Sequence, residues 1–144
     1  MDKVALAMAA AEVNWRNDQA SRWLGMKLEE VRPGYARMSM LVTPNMVNGH
    51  NLCHGGLIFT LADSAFAYAC NSHNQRAVAA GCSIEFLAPA FLDDVLTAEG
   101  VEQALQGRTG VYDMKVTTQK HALIALFRGK SATIRGLLVE GAHR

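Results

Sequence analysis

The stretch that decides the fold is residues 48–72, NGHNLCHGGLIFTLADSAFAYACNS. It opens with turn formers and then becomes almost wholly apolar: Leu57, Ile58, Phe59, Leu61, Ala62, Ala65, Phe66, Ala67, Tyr68 and Ala69 occupy nearly every side of a helical wheel. A helix apolar all round is surrounded rather than laid on a surface. Residues 55–71 are therefore expected to form a central helix with a curved sheet around it. One acid, Asp63, sits inside that run. A carboxylate taken out of water either finds hydrogen-bond donors or takes up a proton, and acids held this way concentrate at functional sites. As plain structure, Asp63 would be a partly exposed acid facing water.

The start of the helix weighs toward chemistry. His54-Gly55-Gly56 places two glycines where the first backbone N–H groups of a helix have no intrahelical partner. Glycine lets a ligand approach that backbone closely, and the helix dipole there favours developing negative charge. The plainer reading is a tight loop-to-helix corner. From Gly55 to Asp63 is eight residues, about 12 Å along a helix. A carbonyl oxygen held at Gly55 is then out of reach of Asp63 on the same helix. If the two groups act together, Asp63 comes from a second subunit, and a two-fold dimer would hold two equal sites.

Outward from this helix, residues 3–24 read as one N-terminal helix stopped by Gly25, with Val4, Met8, Ala11 and Trp15 at helical spacing. Its apolar part is too short and Ala-rich for a signal peptide. Two short strands follow around the turn Arg32-Pro33-Gly34, and Ala36, Met38, Met40 and Val42 alternate with Tyr35, Arg37, Ser39 and Leu41. After the central helix come four strand-like segments, AVAAGCSIEFLAPA, DDVLTAEGVEQAL, TGVYDMKVTTQ and ALIALFRGKSATI. Their short connections favour antiparallel neighbours. The outline is α+β, one domain over residues 1–144.

Composition narrows the function. A charged fraction of 19% is low for a small monomer and points to surface buried against another copy. With a net charge of +1 and scattered basic residues, the chain lacks the patch a nucleic acid needs. No stretch reaches the ~18 apolar residues of a membrane span. Cys53, Cys70 and Cys82 lack paired spacing and read as reduced thiols of a cytoplasmic protein, with Cys70 and Cys82 expected in the core. His50, Cys53 and His54 superficially offer metal ligands, but no second cluster completes a site, so no metal or cofactor is expected. Adjacent Cys53 and His54 point apart and make a poor nucleophile–base pair.

The pattern Asn48, His54-Gly55-Gly56 and Asp63 resembles the central helix of hotdog-fold acyl-CoA thioesterases, most closely the PaaI type of phenylacetic acid degradation. SIEFLAPA, GRTGVYD and ALFRGKS extend the resemblance over nearly the whole chain. It implies a hotdog fold with an extra N-terminal helix, a dimer that is usually paired into a homotetramer, and hydrolysis of phenylacetyl-CoA or related thioesters. Carried over, the Gly55 N–H polarises the thioester carbonyl and Asp63 of the neighbouring chain is general base or nucleophile. Asn48 orients the attacking water or Asp63, and His54 positions the thioester. Some relatives carry a hydroxyl on the strand after the helix, at the position of Ala79, so a serine-assisted variant is not expected. For coenzyme A, the basic turn Arg108-Thr109-Gly110, with Arg128 and Lys130, offers phosphate partners. Gly56, Ala88 and Pro89 are expected to border the substrate. Phe59, Phe66, Tyr68 and Met46 fit either an acyl pocket or the core. The other readings are a hotdog hydroxyacyl dehydratase and a non-catalytic acyl-CoA-binding domain.

Overall fold

The computed structural model describes residues 1–141. Two helices, α1 (Lys3–Asn17) and α2 (Gln19–Trp23), precede a hairpin of β1 (Lys27–Arg32) and β2 (Tyr35–Leu41). The long helix α3 (Gly55–Cys70) follows, then β3 (Gln75–Phe86), β4 (Val95–Gln106), β5 (Thr109–Thr117) and β6 (Leu123–Leu137). All strands join one antiparallel sheet in the order β1-β2-β4-β5-β6-β3. This is the hotdog arrangement, a sheet curled about a central helix. No helix of the described residues is long and apolar enough to cross a membrane.

The alternation in β2 sets the core face. Ala36, Met38, Met40 and Val42 are all buried, and Leu96, Ala98, Tyr112, Met114, Val116 and Phe127 extend the same face against α3. Gly34, at φ +72°, turns the hairpin after Pro33 in the left-handed region that glycine adopts freely. Where Phe66 meets β6 the sheet has Gly129, and a Cβ there would stand 2.7 Å from the ring. The helix therefore lies closer to the sheet than any larger residue would allow.

Three local expectations are corrected. The helix expected over 3–24 breaks at Asp18, which ends α1 and caps α2 by accepting from the Ser21 N–H at 3.0 Å. Its other oxygen accepts from the Tyr68 hydroxyl at 3.0 Å, so a tertiary contact holds the break. The buried stripe of α1 is Leu6, Ala7, Ala10 and Ala11, while Val4 and Met8 are exposed, because the small alanines let α1 pack closely. Finally, β3 and β4 are consecutive but not neighbours: residues 87–94 cross over, leaving β3 beside β6 and β4 between β2 and β5.

Candidate active site

The loop before α3 is organised by Asn48. Its side-chain oxygen accepts from the His50 N–H at 2.9 Å and the Leu52 N–H at 3.2 Å, leaving the amide NH2 as a donor. His54 is the N-cap of α3, and its Nδ1 accepts from the Gly56 N–H at 2.9 Å. An accepting Nδ1 puts the ring proton on Nε2, which is left to donate outward. A Cβ on Gly56 would crowd His54 Nδ1 at 3.0 Å, so this cap needs glycine there.

The cap has a consequence for Gly55. With the Gly56 N–H bonded to His54, and Leu57 and Ile58 donating to the His54 carbonyl, Gly55 is left as the first helical N–H without an acceptor among the described residues. The tip of the half-exposed Phe86 ring lies against Gly55, where a Cβ would meet three ring carbons at 3.2–3.6 Å. Beside them is an open cavity of about 330 Å³ lined by Asn48, Gly55, Ile58, Phe86, Ala88 and Pro89, among others. It is apolar along the 86–90 segment and has unspent donors at Gly55 and Asn48.

Asp63 is not part of that cavity's wall. It sits half-buried two turns further along α3, facing Cys82 of β3, with Cys82 Sγ 3.9 Å from Oδ1. Burial pushes its pKa above the usual carboxylate value, and the Cys82 contact offsets part of that. The expectation that Cys82 belongs to the core is corrected: β3 is an edge strand and Cys82 is exposed, whereas Cys70 is buried. Burial also raises the thiols of Cys53, to about 11, and Cys70, to about 12, which removes both as ready nucleophiles.

The residues expected to meet coenzyme A divide. Ala88 and Pro89 line the cavity beside Gly55. Arg108 and Thr109 are exposed at the β4–β5 turn, but Gly110 is buried, and a Cβ there would come within 2.6 Å of Ser131 Oγ. Arg128 is held by Asp113 through two bonds of 2.6 and 2.7 Å across neighbouring strands. Lys130 is exposed and makes no ion pair among the described residues. Arg128 and Lys130 alternate with buried Phe127, Gly129 and Ser131, so both stand on the sheet face away from α3. Phe66, Tyr68 and Met46 are buried in the core, and Phe59 packs edge-on against Phe127. Among the described residues, no three His, Cys, Asp or Glu side chains cluster in a way that could hold a metal ion.

Sequence reasoning missed two site residues, Phe86 and Cys82. The available signal was the alternation of β3, but a bulge within the strand changes its phase.

Comparison with known proteins gives one consistent picture. The sequence profile of the thioesterase superfamily matches residues 50–125. The acyl-coenzyme A thioesterase PaaI of Escherichia coli is 45% identical over 128 residues, covering 89% of this chain and 91% of the relative. A putative esterase of Archaeoglobus fulgidus is 40% identical over 115 residues, covering 80% of this chain and 75% of the relative. Among solved structures, the E. coli PaaI protein from the phenylacetic acid degradation operon superposes with a TM-score of 0.93 at 43% identity, over 94% of this chain and 99% of that one. A Streptococcus pneumoniae thioesterase protein crystallised with coenzyme A gives a TM-score of 0.73 at 27% identity, over 76% of this chain and 85% of that one.

Proposed function

The chain belongs to the thioesterase superfamily, in its hotdog fold, and from that premise we propose its reaction and the groups that perform it. It is an acyl-CoA thioesterase, acting on phenylacetyl-CoA and similar aryl-acetyl thioesters. The thioester carbonyl oxygen accepts from the Gly55 N–H at the start of α3, where the helix dipole and a fixed donor stabilise the oxyanion. The partner subunit's Asp63 either takes a proton from the attacking water or attacks the carbonyl carbon itself. The C–S bond breaks and CoA leaves as the thiol; the general-base route gives the acid directly, whereas the nucleophile route leaves a mixed anhydride on Asp63 that water hydrolyses to release the acid. The Asn48 amide orients the water and His54 Nε2–H holds the thioester. The observation that carries this reading is the helix start, where His54 caps Gly56 and so leaves the Gly55 N–H vacant.

Distance and the edge strand β3 support a site shared between subunits. Gly55 and Asp63 are eight residues apart on one helix, about 12 Å, so they meet only between chains. β3 is long, exposed over Val78–Ser83 and free of charge there, which is the kind of edge that monomers blunt. A second copy supplies the missing cover, and two such dimers form the tetramer. Ala88 and Pro89 line the pantetheine path, while Arg108 and Lys130 are the cations free to meet the phosphates. Arg128 contributes only if Asp113 releases it. The domain acts in the cytoplasm.

A thiol-release assay with phenylacetyl-CoA and aliphatic acyl-CoAs tests the reaction. Turnover is expected, with Asp63→Asn lowering kcat by about 10²–10⁴-fold, the range of general acid–base groups. Wild-type turnover by Asp63→Asn would remove Asp63 from the mechanism. Absence of thiol release from every substrate would leave only acyl-CoA binding, and water loss from a hydroxyacyl-CoA would mark a dehydratase. Single turnover in labelled water separates the two roles of Asp63, since only a nucleophile first leaves the label in the enzyme.

A further inference from the structure

β3 changes phase part-way along. Its pairing with β6 shifts between Ala79 and Gly81, so an extra residue is inserted there. Before the bulge Ala77 and Ala79 pair with Thr133 and Ser131; after it Cys82, Ile84 and Phe86 pair with Gly129, Phe127 and Ala125. Those five β6 residues include buried Ala125, Phe127, Gly129 and Ser131, which look toward α3. Directly paired residues in an antiparallel ladder share a face. Cys82, Ile84 and Phe86 therefore form one row along α3, with Cys82 at Asp63 and Phe86 at Gly55. Without the inserted residue, position 82 would look away from the helix. Ala79, on the other side of the bulge, brings only a methyl group.

We propose that Cys82 is a positioning residue for Asp63: its thiol donates to Oδ1 and leaves Oδ2 to face the reacting centre. The Sγ–Oδ1 separation is 3.9 Å, and Asp63 accepts no other hydrogen bond among the described residues. The titratable groups facing Asp63 are Cys82 from β3 and Cys70 from α3 itself, and Cys70 is buried with its Sγ on the Ala67 carbonyl at 3.5 Å. Among the described residues of the same chain, Cys82 is thus the side chain placed to fix the carboxylate's orientation. The same contact stabilises the charged form against burial. This role rests on the reading of Asp63 as the reacting carboxylate.

Steady-state thioester hydrolysis across pH by wild type, Cys82→Ala, Cys82→Ser and Asp63→Asn tests it. Cys82→Ala is expected to lower kcat about 2- to 10-fold, the range expected for one long hydrogen bond from a weak thiol donor. KM should stay within about 2-fold, because a positioning contact acts on the chemical step. The acid limb of kcat should move to higher pH, since the charged carboxylate has lost its donor. Cys82→Ser, which keeps a donor at that position, should return both kcat and the limb toward wild type. An unchanged limb in Cys82→Ala, or a uniform loss that serine does not repair, would overturn the role of Cys82 while leaving Asp63 in place. Full activity in Asp63→Asn would instead overturn the reading beneath it.

Discussion

At Asp63 activity and stability pull in opposite directions with pH. Burial holds its pKa above the ordinary carboxyl value, and Cys82 offsets part of that. Because the proposed reaction uses the charged form of Asp63, kcat should fall as pH drops through a limb lying above the usual carboxylate range, which a pH–rate profile would locate. Stability runs the other way. A folded pKa above the unfolded one means the native state binds more protons, so stability is fully present below the unfolded value of about 4 and is lost as pH rises through the folded pKa. Asp63→Asn should therefore melt higher than wild type at neutral pH, with the gap narrowing on acidification. Equal melting temperatures at pH 7 would show that the buried charge costs nothing. That an acid stood in an apolar helix was legible from the sequence. Its thiol neighbour was not, because β3 places Cys82 there only after a bulge.

Helix α3 depends on how it begins and on what it lies against. His54→Ala removes the cap on Gly56 and should cost about 0.5–2 kcal/mol in denaturant unfolding, as N-cap losses do. Asparagine, itself a strong N-cap, should recover most of that loss of stability while removing the imidazole proposed to hold the thioester. At the sheet contact, Gly129→Ala drives a Cβ into the Phe66 ring and should destabilise by about 1–3 kcal/mol, the usual cost of overpacking. Adding Phe66→Leu should return part of it, and failure of the double variant to recover would mean that the ring is not what excludes a side chain. The boundaries of α3 and of the β1–β2 hairpin were legible because they depend on local signals: glycines, Pro33 and period-two alternation. The break at Asp18 was not, since it is held by Tyr68, fifty residues away.

At the scale of the molecule, the proposed dimer is tested at β3, the exposed, uncharged edge of the sheet. Lysine at Val78 and at Ala80 puts charge into an apolar edge and repeats it on both copies. On the proposed shared site, light scattering should then report monomers, with kcat falling by about 10² or more as Asp63 loses reach of the other chain's Gly55. An active monomer would contradict the shared site. The sequence by itself determined the central helix, the hairpin and the α+β class, and it singled out Gly55 and Asp63 as the two groups of the proposed site. These rest on local conformational preference and on hydrophobic period, which a chain carries in its own order of residues. Tertiary structure alone decided the strand order, the tie between Arg128 and Asp113, and the row of Cys82, Ile84 and Phe86 along α3. Each depends on which distant segment lies alongside, and pairing between remote strands is fixed by the packing of the whole sheet on the helix.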